Sequence, residues 1–311
     1  MVTLLTTNEE SRLEVCCSAL RVLALNSPEV IDMLCAPEIV QALVNKYLSV
    51  SECSKGVFAE LIIQFWSRNP VFATIEPVLE HLIQQAQSTC ADVSLASVAM
   101  IQNILSSCYE ICTSFFSGRR SFLEYLLNHE GLLKNPEFAK ESLLVLNLLH
   151  FSDAVNLFEV GALEIFSKIY FRTEDEEVKY LLFYSVQCML MSPPARQFLS
   201  GNLQQLLELQ LSTIMINMLQ SNRDANSCLI GVDRYLAHGE GLVSDVVLYN
   251  PFAIQFEECG GVKELQRITA SFQTYVTTEA KKILDKYYGE SYQQFLLRRR
   301  GLSTKSARHP H

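Results

Sequence analysis

The sequence predicts an all-α fold made of repeated helical units, and three observations support this. Apolar residues recur at positions i, i+3 and i+4 along most of the chain, which is typical of amphipathic helices. Two distant segments, Val160–Phe166 and Cys259–Leu265, place small residues, mostly glycine, between one apolar helix and the next. A third segment makes the same break with Ala36-Pro37, and Ala36 lies 125 residues before Gly161, which is three units of about 42. An all-helical repeat of this length indicates an armadillo or HEAT solenoid.

The composition agrees with such a fold. Hydrophobic residues make up 49% of the 311 residues, which is enough for a continuous core, and only 12 glycines and 9 prolines interrupt it. No window holds the roughly 18 apolar residues without charge that a membrane span requires. The mixed and partly acidic N-terminal residues are unlike a secretory signal. We therefore expect helices joined by short turns and no membrane partner.

The predicted helices follow from apolar spacing and from turn residues between them. Ser27-Pro28 is typical of a helix start, and Ser192-Pro193-Pro194 stops a helix. Ser152-Asp153 is interpreted as the start of a short helix that leads to Gly161, and the acidic run Glu174–Glu177 as a solvated helix start. The helices are predicted over Leu13–Leu25, Ile39–Leu48, Val57–Trp66, Ile75–Gln85, Ser94–Leu105, Phe138–Leu149, Val178–Met191, Leu203–Leu219, Ser227–Leu236 and Thr277–Tyr288. They form roughly seven units of a right-handed superhelical solenoid over residues 1–290.

No pattern of an enzyme or of a metal or cofactor site is present in the sequence. The 10 cysteines are scattered without a Cys-x-x-Cys pair or a histidine at ligand spacing, so they are interpreted as small buried hydrophobic residues with reduced thiols. A glycine-rich phosphate loop, a Gly-x-Ser-x-Gly turn and a His-Glu-x-x-His helix are all missing. We expect no catalytic residues, no metal, no cofactor and a protein that works by binding.

The charge is negative over most of the chain and positive at its end. The net charge of −9 disfavours direct nucleic-acid binding, which needs a basic face. Residues 291–311 carry an arginine-rich segment, Arg298–Arg308, without any acidic side chain. This segment is predicted to be a disordered tail that aids solubility; a nuclear signal, a ligand for the chain's own groove and a phosphate-binding arm are the alternatives.

Three regions carry a resemblance to a known family. Phe256–Val262 followed by Thr278–Tyr288 resembles the last armadillo repeat of importin-α (karyopherin-α), Asn156–Phe166 resembles a middle repeat, and Val2–Glu29 is similar to the second repeat. The resemblance implies an armadillo-repeat fold over residues 1–290 and a nuclear import adaptor that moves between cytoplasm and nucleus. Because the sequence starts at the second repeat, the N-terminal arm that binds importin-β is expected to have no counterpart.

The resemblance also implies a peptide-binding groove on the third helix of each repeat. There the family presents Trp-x-x-x-Asn, whose two side chains share a helix face, so that indole rings hold Lys or Arg stems and the Asn amide binds the peptide backbone. The equivalent pairs that keep an Asn or an aromatic residue are Ala99 with Asn103, Leu143 with Asn147, and Tyr184 with Cys188. In the following repeat, Arg234 or Tyr235 takes the Asn position.

The roles of these residues have alternatives. Asn103 and Asn147 are predicted to bind a peptide backbone or, alternatively, to cap a helix or face solvent. Tyr184 is a groove wall or an ordinary packing residue. Glu257 and Glu258 contact a recycling exportin, as the resemblance implies, or form a solvated acidic turn. The sequence thus predicts an adaptor for basic peptide cargo with importin-β or an exportin as further partners, or else an armadillo scaffold without a transport role.

Overall fold

The structure is a computed structural model in which the secondary structure is helical. It describes residues 10–27, 36–50, 58, 61–62, 72–107, 114–116, 119–192, 198, 207–221, 223–243, 249–270 and 274–299. Within these ranges no β-strand occurs. The chain divides into two compact units, residues 1–160 and residues 161–311. The prediction of an all-α fold is confirmed.

Seven helices of the first unit are described. They are α1 (Glu10–Asn26), α2 (Pro37–Ser49), α3 (Phe72–Ala86), α4 (Ala91–Ser107), α5 (Arg120–Asn128), α6 (Gly131–Lys134) and α7 (Pro136–Glu159). Helix α2 packs against α3, α3 against α4, and α4 against α7. As predicted, Ala36 precedes a helix whose first residue is proline. The predicted helix over Val57–Trp66 lies largely outside the described residues.

One carbonyl group joins three helices of this unit. The carbonyl oxygen of Ala86, at the end of α3, accepts a hydrogen bond of 2.6 Å from the Ser94 hydroxyl on α4. It also accepts one from the Tyr125 hydroxyl on α5. Both hydroxyls therefore satisfy a helix-terminal carbonyl that has no partner within its own helix.

The predicted break at Ser152-Asp153 is wrong, because α7 runs without interruption over 24 residues. Asn135 caps its start by accepting a hydrogen bond of 3.2 Å from the Phe138 amide, and Pro136 is its first residue. Ser and Asp are only moderately unfavourable inside a helix, whereas proline and glycine, which break helices, do not occur between Pro136 and Val160. Packing against α4 is then enough to continue the helix.

Eight helices of the second unit are described, and they repeat in two layers. They are α8 (Ala162–Arg172), α9 (Glu176–Met191), α10 (Leu211–Ser221), α11 (Ala225–Glu240), α12 (Pro251–Glu258), α13 (Gly261–Thr269), α14 (Thr274–Tyr288) and α15 (Glu290–Arg299). The second helices of successive repeats, α8, α10 and α13, pack on one another. The third helices, α9, α11 and α14, do the same in the other layer. The start of α9 confirms the predicted helix start, because Asp175 caps it and accepts hydrogen bonds from the Glu177 and Val178 amides.

A residue in the left-handed conformation precedes each second helix of this unit. Gly161 has φ 77° and Gly260 has φ 93°, and both are the glycines that the sequence marks as junctions. The third such residue is Gln210, with φ 55°. It interrupts the predicted helix Leu203–Leu219, and α10 begins directly after it at Leu211. Sequence analysis missed this junction because a glutamine occupies the place of glycine.

A buried polar network lies beneath the junction at Gln210. The Tyr235 hydroxyl donates to Gln255 Oε1 at 2.8 Å and lies 3.0 Å from the Ser212 hydroxyl, while Gln255 Nε2 donates to the carbonyl oxygen of Leu207 at 2.5 Å. Burial raises the pKa of Tyr235 above its ordinary value, so the phenol remains a neutral donor. Tyr235 is therefore a core residue, and Arg234 is the exposed member of the pair considered for the Asn position.

Residues 291–299 are helical, although they are predicted to belong to a disordered tail. A disordered tail is expected from residue 291, whereas residues 290–299 form α15. Tyr292 anchors this helix, since its side chain is buried and its hydroxyl donates to Glu257 of α12. Residues 300–311 lie outside the described residues.

We expect Gln210→Gly to stabilise the chain. A left-handed conformation costs an L-residue about 1–2 kcal/mol, and glycine removes that cost while adding a smaller loss of backbone entropy, so the net gain is roughly 0.5–1 kcal/mol. Thermal unfolding followed by circular dichroism measures it. The matched control is Gln266→Gly within the helix α13, which should destabilise by a similar amount. Equal destabilisation by both substitutions would contradict the role of Gln210.

Candidate functional site

The exposed side of α4 and α7 is the candidate surface of the first unit. Asn103 on α4 is exposed and Ala99, one turn earlier, is half-buried, so both reach the surface on which they are predicted to act. The Asn103 backbone carbonyl accepts a hydrogen bond of 2.8 Å from the Ser107 hydroxyl, and the exposed Asn103 side chain carries its amide at the surface. Whether this amide binds a peptide stays a prediction.

The predicted pair on α7 faces the core instead of the surface. Leu143 is 0% exposed and Asn147 is 7% exposed, so neither side chain can line an open groove. This is a correction of the predicted register by one residue, because Leu144 and Leu148 are the half-buried pair with the same spacing. The packing of α7 against α4 turns the face of Leu143 and Asn147 inward.

Glu141 adds a carboxylate to the surface of α7. It is half-buried, and among the described residues it forms no ion pair. Desolvation by burial raises the pKa of its carboxyl group above the ordinary value. A cation bound beside it would reverse part of this penalty, so Glu141 is suited to meet a basic group.

In the second unit, one member of the predicted pair on α9 lies at the surface and the other is buried. Tyr184 is 39% exposed, whereas Cys188 is 5% exposed and lies below it. The two side chains share a hydrogen bond, and burial raises the pKa of the Cys188 thiol to about 11. Cys188 is therefore a protonated packing residue that supports the Tyr184 ring, which corrects its predicted role in direct binding.

A cavity of about 310 Å³ lies between the third helices α11 and α14. Ile230 of α11 and Tyr275 of α14 line it, and their side chains are 41% and 62% exposed. The polar lining consists of Asn226, Asp233, Arg234, Glu279, Lys282 and Lys286. We call it the α11–α14 cavity. Sequence analysis missed it, although Ile230 and Arg234 are four residues apart on one helix, the spacing that marks the expected groove positions.

A second cavity of about 380 Å³ lies between the ends of α9 and α11. Met191, Arg234, His238 and Glu240 line it, and Nε2 of His238 lies 2.5 Å from the carbonyl oxygen of Leu190. Arg234 therefore lines both of these cavities.

The close approach of α9 and α11 depends on a glycine. A Cβ atom at Gly231 would lie 3.2 Å from the Phe183 ring and 3.5 Å from the Gln187 side chain. The absence of a side chain at Gly231 lets these two third helices pack closely, which holds Tyr184, Ile230 and Arg234 in one layer.

The two predicted exportin contacts differ in their surroundings. Glu257 is half-buried and accepts the hydrogen bond from Tyr292, so its carboxylate already holds α15. Glu258 is exposed at the end of α12. A contact with an exportin stays a prediction for both.

Two kinds of feature are not found in the described part of the chain. No group of three or more His, Cys, Asp or Glu side chains there could hold a metal ion. Also within those residues, no helix combines the length and apolar character that a membrane crossing needs.

Several proteins of known structure share this fold. An engineered protein of known crystal structure matches with a TM-score of 0.66 and 19% identity, over 92% of this chain and 67% of the other. A computationally designed armadillo-repeat protein for modular peptide recognition matches with a TM-score of 0.58 and 17% identity, over 80% of this chain and 99% of the other. Another designed armadillo-repeat protein matches at 0.53 and 16% identity, over 79% and 98%. The sequence matches no protein-family profile and no curated protein. The chain has an armadillo-repeat fold, the fold that the sequence predicts.

We expect the stability of the α11 helix start to depend on pH through Asp224. Hydrogen bonds from Ser227 lower the pKa of this capping carboxyl group, with a backbone distance of 3.1 Å from the Ser227 amide to Oδ1. Because the pKa is lower in the folded chain, the charge stabilises it above about pH 4 and this contribution disappears as the pH falls through the folded value. Asp224→Asn, which keeps a good capping group, should lower the melting temperature more at pH 7 than at pH 3.

Asp285→Asn, on the exposed side of α14, controls for the loss of one negative charge. A stability loss for Asp224→Asn that is the same at pH 7 and pH 3 would contradict the role of the charge.

Proposed function

We propose that each of the two units binds an extended peptide segment along the exposed sides of its own third helices, and that the protein acts as an adaptor, not as an enzyme. The observation that carries the proposal is that side chains suited to a peptide lie on these sides in both units: Asn103, Glu141, Tyr184, Ile230, Arg234 and Tyr275. One designed armadillo protein that shares the fold is described as made for modular peptide recognition. That use of the fold supports the same use here.

Each of these side chains has a physical role in such binding. An Asn amide both donates and accepts, so Asn103 can bind the alternating N–H and C=O groups of an extended backbone. The exposed ring of Tyr184 can cover the aliphatic stem of a Lys or Arg and attract its charge. Glu141 then supplies a carboxylate for a basic group in the first unit.

We further propose the specific role of an importin-α-like adaptor that carries basic nuclear localisation signals between cytoplasm and nucleus. The resemblance of Phe256–Val262 and Thr278–Tyr288 to the last importin-α repeat supports this role. Importin-β and a recycling exportin would be its further partners. Of the two glutamates considered for the exportin contact, the exposed Glu258 is the better suited.

The second candidate is an armadillo scaffold for a protein assembly without transport. The burial of Leu143, Asn147 and Cys188 favours it, because these are three of the six side chains expected to form the peptide ladder. A scaffold keeps the fold without presenting the ladder at the surface, which agrees with the burial of these side chains.

A binding assay with the full chain separates the two candidates. We expect a fluorescent bipartite peptide with two Lys/Arg clusters to bind, and Asn103→Ala to weaken it by about tenfold, the effect of losing hydrogen bonds of roughly 1.5 kcal/mol. Asn128→Ala is the matched control, since Asn128 is also exposed but lies on α5, outside the helices α4 and α7 that carry the candidate surface of the first unit.

Capture of purified importin-β on the immobilised chain completes the test. Binding of the peptide and of importin-β supports the import adaptor. If neither binds, the import role is excluded and the scaffold remains. An equal loss of peptide binding in both asparagine variants would remove Asn103 from the site.

A further inference from the structure

In the lining of the α11–α14 cavity each carboxylate forms an ion pair with a lysine, and one further cationic side chain has no such pair. Lys286 Nζ lies 3.4 Å from Asp233 Oδ1, and Lys282 Nζ lies 2.6 Å from Glu279 Oε1. The Tyr287 hydroxyl donates to the same Asp233 oxygen at 3.0 Å. Both carboxylates of the lining are thus already neutralised within the chain.

Arg234 is the remaining cation. It is exposed, and among the described residues it forms no ion pair and no hydrogen bond through its side chain. A further carboxylate of this layer, that of Glu240, lines the neighbouring cavity together with Arg234 and lies 3.8 Å from Lys286. The lining of the α11–α14 cavity therefore has a net charge of +1 in a chain of net charge −9. This local sign is opposite to the one that a basic ligand requires.

The geometry around Arg234 suits a side chain with an acidic end. A guanidinium group binds a carboxylate through two parallel hydrogen bonds, which fix its orientation. Ile230, one turn before Arg234, and Tyr275 on the facing helix provide apolar walls for the stem of such a residue. The cavity volume of about 310 Å³ is large enough for one side chain and its neighbours.

We propose that the α11–α14 cavity binds an Asp or Glu side chain of an extended peptide, with Arg234 as the anion-binding group. This proposal rests on the proposed peptide binding along the third helices and names the chemistry that the second unit selects. A carboxylate fits better than a phosphate, because one negative charge matches the net +1 of the lining. The second negative charge of a phosphate would find no further unpaired cation in the lining.

Selection from a displayed library of random decapeptides tests the proposal on the full chain. Peptides selected by the wild type should carry Asp or Glu at one fixed position next to an apolar residue. A selected peptide, synthesised with Glu, Gln, Lys or phosphoserine at that position, should bind best with Glu. Arg234→Ala should weaken binding of the Glu peptide by at least about tenfold and leave the affinity for the Gln peptide nearly unchanged. Arg234→Glu should reverse the preference to Lys.

Arg172→Ala is the matched control, because Arg172 is an exposed arginine of the same unit on the second helix α8. Circular dichroism checks that all variants fold. Selected peptides without an acidic preference, a best affinity for phosphoserine, or an acidic preference that survives in Arg234→Ala and Arg234→Glu would each overturn the inference while leaving peptide binding intact. If the wild type selects no peptide at all, the proposed function fails, and the inference fails with it.

Discussion

The second unit depends on one backbone constraint, a left-handed residue before each second helix. Gly161, Gln210 and Gly260 lie 49 and 50 residues apart, and each lies in the turn directly before a second helix. The second and third helices of successive repeats can then stack in two layers, and each repeat buries its apolar faces against its neighbours. The exposed side of the third helices, and with it every candidate binding residue of this unit, follows from that stacking.

Buried polar groups fix this stacking in one register. Tyr235 of α11 and Gln255 of α12 belong to different repeats, and with Ser212 of α10 they satisfy one another and the carbonyl oxygen of Leu207. A slip of one helix would leave these groups unpaired in the core, which costs far more than the hydrogen bonds themselves contribute. The network therefore explains why Arg234, next to Tyr235, is held at the surface.

The sequence predicts the fold well because its signals are local and repeated. Glycine at residues 161 and 260 marks the left-handed junctions, but Gln210 takes the same conformation without any glycine, since tertiary packing and not local propensity determines it. The same reason explains the missed continuity of α7 through Ser152-Asp153. The residues that face the groove are harder to predict than the helices. The surfaces of α7 that carry Leu143 and Leu144 differ by one residue, and apolar spacing alone cannot decide which of two leucines faces the neighbouring helix.

The charge of the whole chain is a poor guide to its binding surface. The net charge of −9 suggests a basic partner, and the carboxylate of Glu141, which forms no ion pair among the described residues of the first unit, agrees with it. In the second unit Asp233 forms an ion pair with Lys286 of the neighbouring helix, and Glu279 forms one with Lys282 one helical turn away. The charge that remains for a ligand is therefore that of Arg234. Exposed ion pairs are weak and rearrange easily, whereas an unpaired guanidinium beside apolar walls loses little on binding an anion. The partner chemistry of a repeat protein is therefore set by the charges left unpaired on each third helix, and two units of one chain can differ in the sign that they select.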